Sequence, residues 1–97
     1  VIKYYVPEIG KKEIQAATKV LKSGNLAQGK EVEAFENEYS AYCGGDYCLA
    51  VSSATAALYL ICKYYKKLGL EEINIPAYTF CATYQAARAA GLKVNIK

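Results

Sequence analysis

The second half of the chain carries three short strand-like runs, at 47–51, 72–75 and 93–96, separated by two alanine-rich stretches long enough to be helices. That alternation limits the possible folds more than any other feature. Runs of four or five residues bounded by Gly-Asp, Ser or Pro read as strands. The stretch 54–65 reads as a helix that Ser53 can cap and that Lys66-Lys67 and Gly69 close, and 79–90 as a helix closed by Gly91. Successive strands joined through a helix lie parallel, with right-handed crossovers. The spacing therefore predicts an α/β chain with a β-α-β-α-β order of parallel strands over 46–97.

The first half has a different period. Ile14, Ala17 and Leu21 recur at helical spacing within 9–21, and Ser23-Gly24 ends the pattern. The loop SGNLAQG follows at 23–29. A second helix then carries Val32, Phe35, Tyr39 and Tyr42 on one face, with Glu31, Glu33, Glu36 and Glu38 on a solvated face, and stops at Gly44-Gly45. Residues 1–45 thus form a helical lead to the strands of 46–97. Parallel sheets are normally covered on both faces, and three strands leave much of that cover missing. The expectation is a fragment of a larger domain, continued after Lys97 by more strands and helices. Val1 in place of methionine points to processing or truncation. Uncovered sheet edges and helix faces predict weak stability and self-association for the isolated 97 residues.

Composition excludes several classes of function. Hydrophobic residues are 54% of the chain and charged residues 22%, too apolar for a disordered segment. The 12 basic and 9 acidic residues are interspersed, so no basic patch marks a nucleic-acid partner. No apolar run approaches the ~20 residues of a membrane helix. Cys43, Cys48, Cys62 and Cys81 lack C-x-x-C spacing and the chain has no histidine, which argues against a zinc site. With no signal peptide ahead of them, and three of them within apolar segments, the cysteines read as reduced small hydrophobes in a soluble, cytoplasmic chain. Without histidine, acid–base work falls to lysine, carboxylate, tyrosine or a cofactor.

Ligands of open parallel sheets bind where strands end and helices begin. Two such corners occur. At the first, Val51-Ser52-Ser53-Ala54-Thr55, small residues let an anion approach the backbone, and Ser53 and Thr55 add hydroxyls. A phosphate fits there, and a plain helix cap accounts for the same residues. At the second, Pro76-Ala77-Tyr78-Thr79-Phe80, the Phe80 ring can lie against a planar ligand or fill a core. The loop 23–29 reads either as a linker or as a ligand-side loop.

Four blocks carry a resemblance: YYVPEIGKKEI, LKSGNLAQGKEVEAFENEYSAY, LAVSSATAALYL and INIPAYTFCATYQAARAAGLKV. Together, in this order and at these separations, they resemble the DegT/DnrJ/StrS-type nucleotide-sugar aminotransferases, pyridoxal-phosphate enzymes of fold type I. The resemblance implies the N-terminal part of a fold type I aminotransferase large domain. It implies that Ser53, Ala54 and Thr55 hold the phosphate of pyridoxal 5'-phosphate and that Phe80 stacks on its pyridine ring. It also implies a substrate-side loop at 24–29 near a dimer interface, with Asn25 and Gln28 on the substrate side. Gln28 matches the usual pattern, whereas Asn25 stands where the family often has an aromatic residue. The implied partners are a nucleotide-sugar substrate, an amino-acid donor and a second copy of the full-length chain. The family's cofactor-binding lysine and pyridine-pairing aspartate lie downstream of these motifs. No lysine here, Lys93 and Lys97 included, matches that lysine's position, so no catalytic residue is assigned. A same-fold sugar dehydratase and a non-catalytic regulatory relative are the alternatives.

Overall fold

A computed structural model describes residue 2 and residues 4–97; Val1, on which the expectation of processing rested, lies outside the described residues. The elements are α1 (Lys11–Ser23), α2 (Lys30–Cys43), α3 (Ala54–Lys67), β1 (Glu72–Ile75), α4 (Cys81–Ala89) and β2 (Lys93–Ile96). They fall into two compact units that divide between Ala50 and Val51.

In the first unit, α1 starts at Gly10, whose N–H donates to Glu13 Oε2 at 2.7 Å. A Glu at this position answers one of the orphan donors of a helix start. Ile9 therefore stays outside the helix. Gly24 and Gly44 end α1 and α2 in the left-handed region, at φ 73° and 67°, where a side chain would be strained. Neither helix buries a residue. Phe35 and Tyr39 stack at 5.5 Å and Tyr39 and Tyr42 at 6.4 Å, so the expected aromatic face exists but remains exposed. An exposed Lys19–Glu31 ion pair at 3.6 Å joins the two helices.

The expected strand at 47–51 does not form among the described residues. A strand is a property of a pair, and no backbone of the described residues forms a ladder with this segment. Its Ala50 N–H donates to the Glu36 carboxylate at 2.7 Å instead. Glu36 is accordingly half-buried, which corrects its assignment to a solvated face. The β-α-β-α-β order thus reduces to one β-α-β unit preceded by a helix.

That unit forms the second half. β1 and β2 pair in parallel, with Glu72 opposite Lys93 and Ile75 opposite Ile96. The ladder continues beyond the strands, from the Lys97 N–H to the Ile75 carbonyl at 2.9 Å and from the Ala77 N–H to the Lys97 carbonyl at 2.8 Å. α4 packs on both strands and α3 packs along α4. The core is small: Cys62, Ala87, Ala90 and Leu92, with Tyr59, Ile73 and Val94 against it. Alanine on α4 lets α3 and the strands approach closely, because Ala82, Ala86 and Ala87 present no long side chain to hold them off. Among the cysteines Cys62 alone is buried; Cys43 and Cys81 are exposed and Cys48 is half-buried, so fewer than the expected three are packed as small hydrophobes.

The opposite face of the pair is polar. Glu72 accepts hydrogen bonds from Asn95 Nδ2 at 2.7 Å and Lys93 Nζ at 3.1 Å. The Asn95 bond first, then the Lys93 bond and charge, hold its carboxyl below the usual glutamate value.

Candidate functional site

The two helices of the second unit are aligned in the same sense. Cys62 of α3 meets Ala87 and Ala90 at the end of α4, and a Cβ built on Gly91 would lie 3.9 Å from Lys66 Cε. The C-terminal turns of α3 and α4 therefore sit together, at the edge where β1 and β2 begin. Since α4 leads back from the end of β1 to the start of β2, its N-terminus opens at the C-terminal edge of the sheet. The N-terminus of α3 points to that same edge. Ser53, Ala54 and Thr55 stand at one of these helix starts and Phe80 at the other.

At the α3 start, Ser53 has extended backbone, φ −164° and ψ 159°, and its Oγ accepts the Ala56 N–H at 3.1 Å. The Ser53 carbonyl accepts the Ala57 N–H at 3.1 Å. The N–H groups of Ala54 and Thr55 find no acceptor among the described residues. Both residues are exposed, and the Thr55 hydroxyl makes no hydrogen bond there either. Two N–H donors and a hydroxyl without partners among the described residues thus lie in the first turn of a 14-residue helix, at its positive end. Unpaired donors at a helix start attract an anion.

At the α4 start, the chain bends through residues 77–79 and Phe80 has extended backbone, φ −69° and ψ 140°, so the helix begins at Cys81 and not at Thr79. Thr79 and Thr83 share a hydroxyl hydrogen bond at 3.2 Å across this turn. Phe80 is 76% exposed, so it does not fill the core of this unit. An exposed phenyl ring at the edge of a sheet offers a flat apolar wall.

Asn25 and Gln28 lie in the first unit, on the loop between α1 and α2. The loop lines a concavity of about 740 Å³ together with Val20, Ser23 and Val32. Ser23 Oγ accepts the Asn25 N–H at 3.2 Å, and the Leu26 N–H donates to the Gly24 carbonyl at 3.1 Å, so the loop is locally folded. The residue that sequence reasoning missed is Glu36. A single carboxylate on the polar face of a helix gives no sign that it reaches a backbone donor 14 residues on.

Residues 7–96 match the profile of the DegT/DnrJ/EryC1/StrS aminotransferase family. The chain belongs to that family. It is 43% identical over 81 residues to the spore coat polysaccharide biosynthesis protein SpsC of Bacillus subtilis, a match that covers 82% of this chain and 21% of that protein. It is 42% identical over 82 residues to dTDP-3-amino-3,6-dideoxy-alpha-D-galactopyranose transaminase of Aneurinibacillus thermoaerophilus, covering 82% and 22%. With UDP-4-amino-4,6-dideoxy-N-acetyl-beta-L-altrosamine transaminase of Campylobacter jejuni it shares 38% identity over 96 residues, covering 97% and 25%. The chain thus spans between a fifth and a quarter of the length of these curated relatives. The family match takes in α1 to α4, both strands and both corners. Among the described residues, no helix is long and apolar enough to cross a membrane.

Proposed function

We propose that this chain is the N-terminal part of the large domain, helical lead 1–45 and α/β part 46–97, of a pyridoxal-phosphate-dependent aminotransferase. The complete enzyme moves an amino group from an amino acid to a nucleotide-linked keto-sugar, in amino-sugar or polysaccharide biosynthesis. The observation that carries this reading is the family match across residues 7–96. The relatives' names supply the substrate class, since two of the three are transaminases of nucleotide-linked amino sugars.

The donor set at the α3 start fits the cofactor. The Ala54 and Thr55 N–H groups and the Ser53 and Thr55 hydroxyls would hold its phosphate, as unpaired donors at a helix start attract an anion. Phe80 would lie against its pyridine ring and exclude water from one side of it, a role open to a phenyl group that this unit leaves exposed. When bound, pyridoxal phosphate supplies an electron sink for the substrate's α-carbon chemistry. Asn25 and Gln28 would meet the sugar substrate on the loop of the first unit. The lysine and aspartate that engage the cofactor come from outside residues 1–97, in a cytoplasmic homodimer.

Titration of the complete protein with pyridoxal 5'-phosphate tests the reading. The expected result is a saturable visible absorbance from bound cofactor, followed by glutamate-dependent amination of a UDP- or dTDP-linked keto-sugar. A protein that binds no cofactor at millimolar concentration would remove the aminotransferase assignment.

A further inference from the structure

Resting on the aminotransferase reading, we propose that Tyr78 is a specificity-determining residue that binds the nucleotide-linked sugar, and not the amino-acid donor, at the C-terminal edge of β1 and β2. The tyrosines of residues 51–97 differ in setting. Tyr59 packs against the core, Tyr64 and Tyr65 meet edge to face at 5.6 Å, and Tyr84 is 43% exposed on α4. Tyr78 is 99% exposed, and its hydroxyl makes no hydrogen bond among the described residues.

Its backbone, by contrast, is held on both sides. The Ala77 N–H donates to the Lys97 carbonyl at 2.8 Å, which ties the residue before it to the sheet. The Thr79 and Thr83 hydroxyls share a hydrogen bond at 3.2 Å and the Phe80 carbonyl accepts the Thr83 N–H at 3.0 Å, which tie the residues after it to α4. A ring displayed from a fixed turn adds nothing to the core of this unit, yet a ligand that meets it orders little further backbone. Two considerations choose the ligand. A phenol presents a flat apolar face and one neutral hydroxyl that both donates and accepts, which suits a sugar ring of C–H groups and hydroxyls and offers no charge to the carboxylates of an amino-acid donor. The nucleotide-linked sugar also carries a diphosphate, and the acidic residues of 51–97, Glu71 and Glu72, lie at the opposite edge of the sheet, where β1 begins. No carboxylate of this unit therefore stands beside Tyr78 to repel that anion, whereas Lys97, laddered to Ala77, puts a cation at the same edge.

The two halves of the reaction separate the two substrates. The complete protein with bound cofactor is mixed with glutamate alone, and the loss of its visible absorbance reads the donor half. Steady-state amination of a UDP- or dTDP-linked keto-sugar at saturating glutamate reads KM and kcat for the sugar. Expected for Tyr78→Phe is a sugar KM raised about three- to tenfold, the range of one neutral hydrogen bond, and for Tyr78→Ala a rise of about tenfold or more as the flat face is lost too. Values of kcat stay within about twofold of wild type, as for contacts made equally in ground and transition states. The glutamate half and the cofactor's dissociation constant do not change, and the thermal midpoint stays within about 2 °C. Should Tyr78→Ala fail to fold, Tyr78→Phe carries the comparison. A sugar KM unchanged in both variants overturns the proposal, as does an equal slowing of the glutamate half. A sugar effect seen only together with a midpoint lowered by more than about 5 °C also overturns it, because Tyr78 is then a packing residue. A wild-type protein that neither binds cofactor nor aminates a sugar removes the aminotransferase reading, and this role with it.

Discussion

Replacement of Leu92 by alanine tests how the second unit is held together. Leu92 is 1% exposed and is the largest fully buried side chain; Cys62, Ala87 and Ala90 surround it, with Tyr59, Ile73 and Val94 against them. Leu→Ala removes three carbons, worth ~0.8 kcal/mol each when buried, or ~2.4 kcal/mol in all. The cavity left behind adds to this unless neighbours move in. Three of the closest neighbours are alanine or cysteine, whose short side chains cannot reach into the space without moving the α3 or α4 backbone. A loss of about 3 kcal/mol is expected, well within the 2–5 kcal/mol found for buried leucines. Urea unfolding of the complete protein, with an unchanged denaturant slope, gives the number directly. Leu60→Ala on α3, at a side chain 48% exposed, serves as the control and should cost under about 1 kcal/mol. Equal losses for the two variants, or a loss under about 1 kcal/mol at Leu92, would refute the assignment of the core to this cluster.

Other outcomes are equally specific. Gly91 sits at φ 89° with only ordinary contact to Lys66, so Gly91→Ala should cost about 1–2 kcal/mol through backbone strain alone, read as a lower thermal midpoint. Glu72 has a folded-state pKa lowered from 4.5, so its contribution is present above that unfolded value and is lost as pH falls from there through the folded value. Acid titration of stability should therefore be shallower below about pH 4 in Glu72→Gln than in wild type; identical curves would show that the bonds to Asn95 and Lys93 carry no weight. Phe80→Leu removes an exposed ring, so stability should hold within about 0.5 kcal/mol while cofactor affinity falls. A large stability loss there would return Phe80 to the core.

The second half of the chain was legible because its signals are local. Pro76 and Gly91 mark boundaries through their own backbone geometry, and both strands appear at 72–75 and 93–96 as the sequence pattern indicates. The run 47–51 is more apolar than either strand yet forms no ladder among the described residues, because its pairing depends on a partner the local pattern cannot supply. α4 begins two residues later than its alanine content suggests, since the chain bends through Thr79 and Phe80 remains extended ahead of the helix. Glu36 was illegible for a different reason: its position on the helix says solvent, and only the path of the chain after Gly45 brings a backbone donor to it.

Ser53 shows how two readings left open by sequence can be reconciled by geometry. A helix cap and a phosphate ligand look like competitors for one hydroxyl, and on that view an observed cap argues against an anion. The oxygen of a serine has acceptor capacity for two bonds and one proton to donate. Here the cap uses acceptor capacity alone, from the Ala56 N–H at 3.1 Å. The proton is left over, beside the unpaired N–H groups of Ala54 and Thr55. Capping fixes the Oγ against the helix start and so removes rotamer freedom that an anion would otherwise have to overcome. It follows that Ser53→Ala should lower both thermal stability and cofactor affinity, whereas Ser53→Asp should keep the cap and abolish the affinity, because its carboxylate has no proton to offer and repels the phosphate. A Ser53→Asp protein that binds pyridoxal phosphate as well as wild type would place the anion elsewhere.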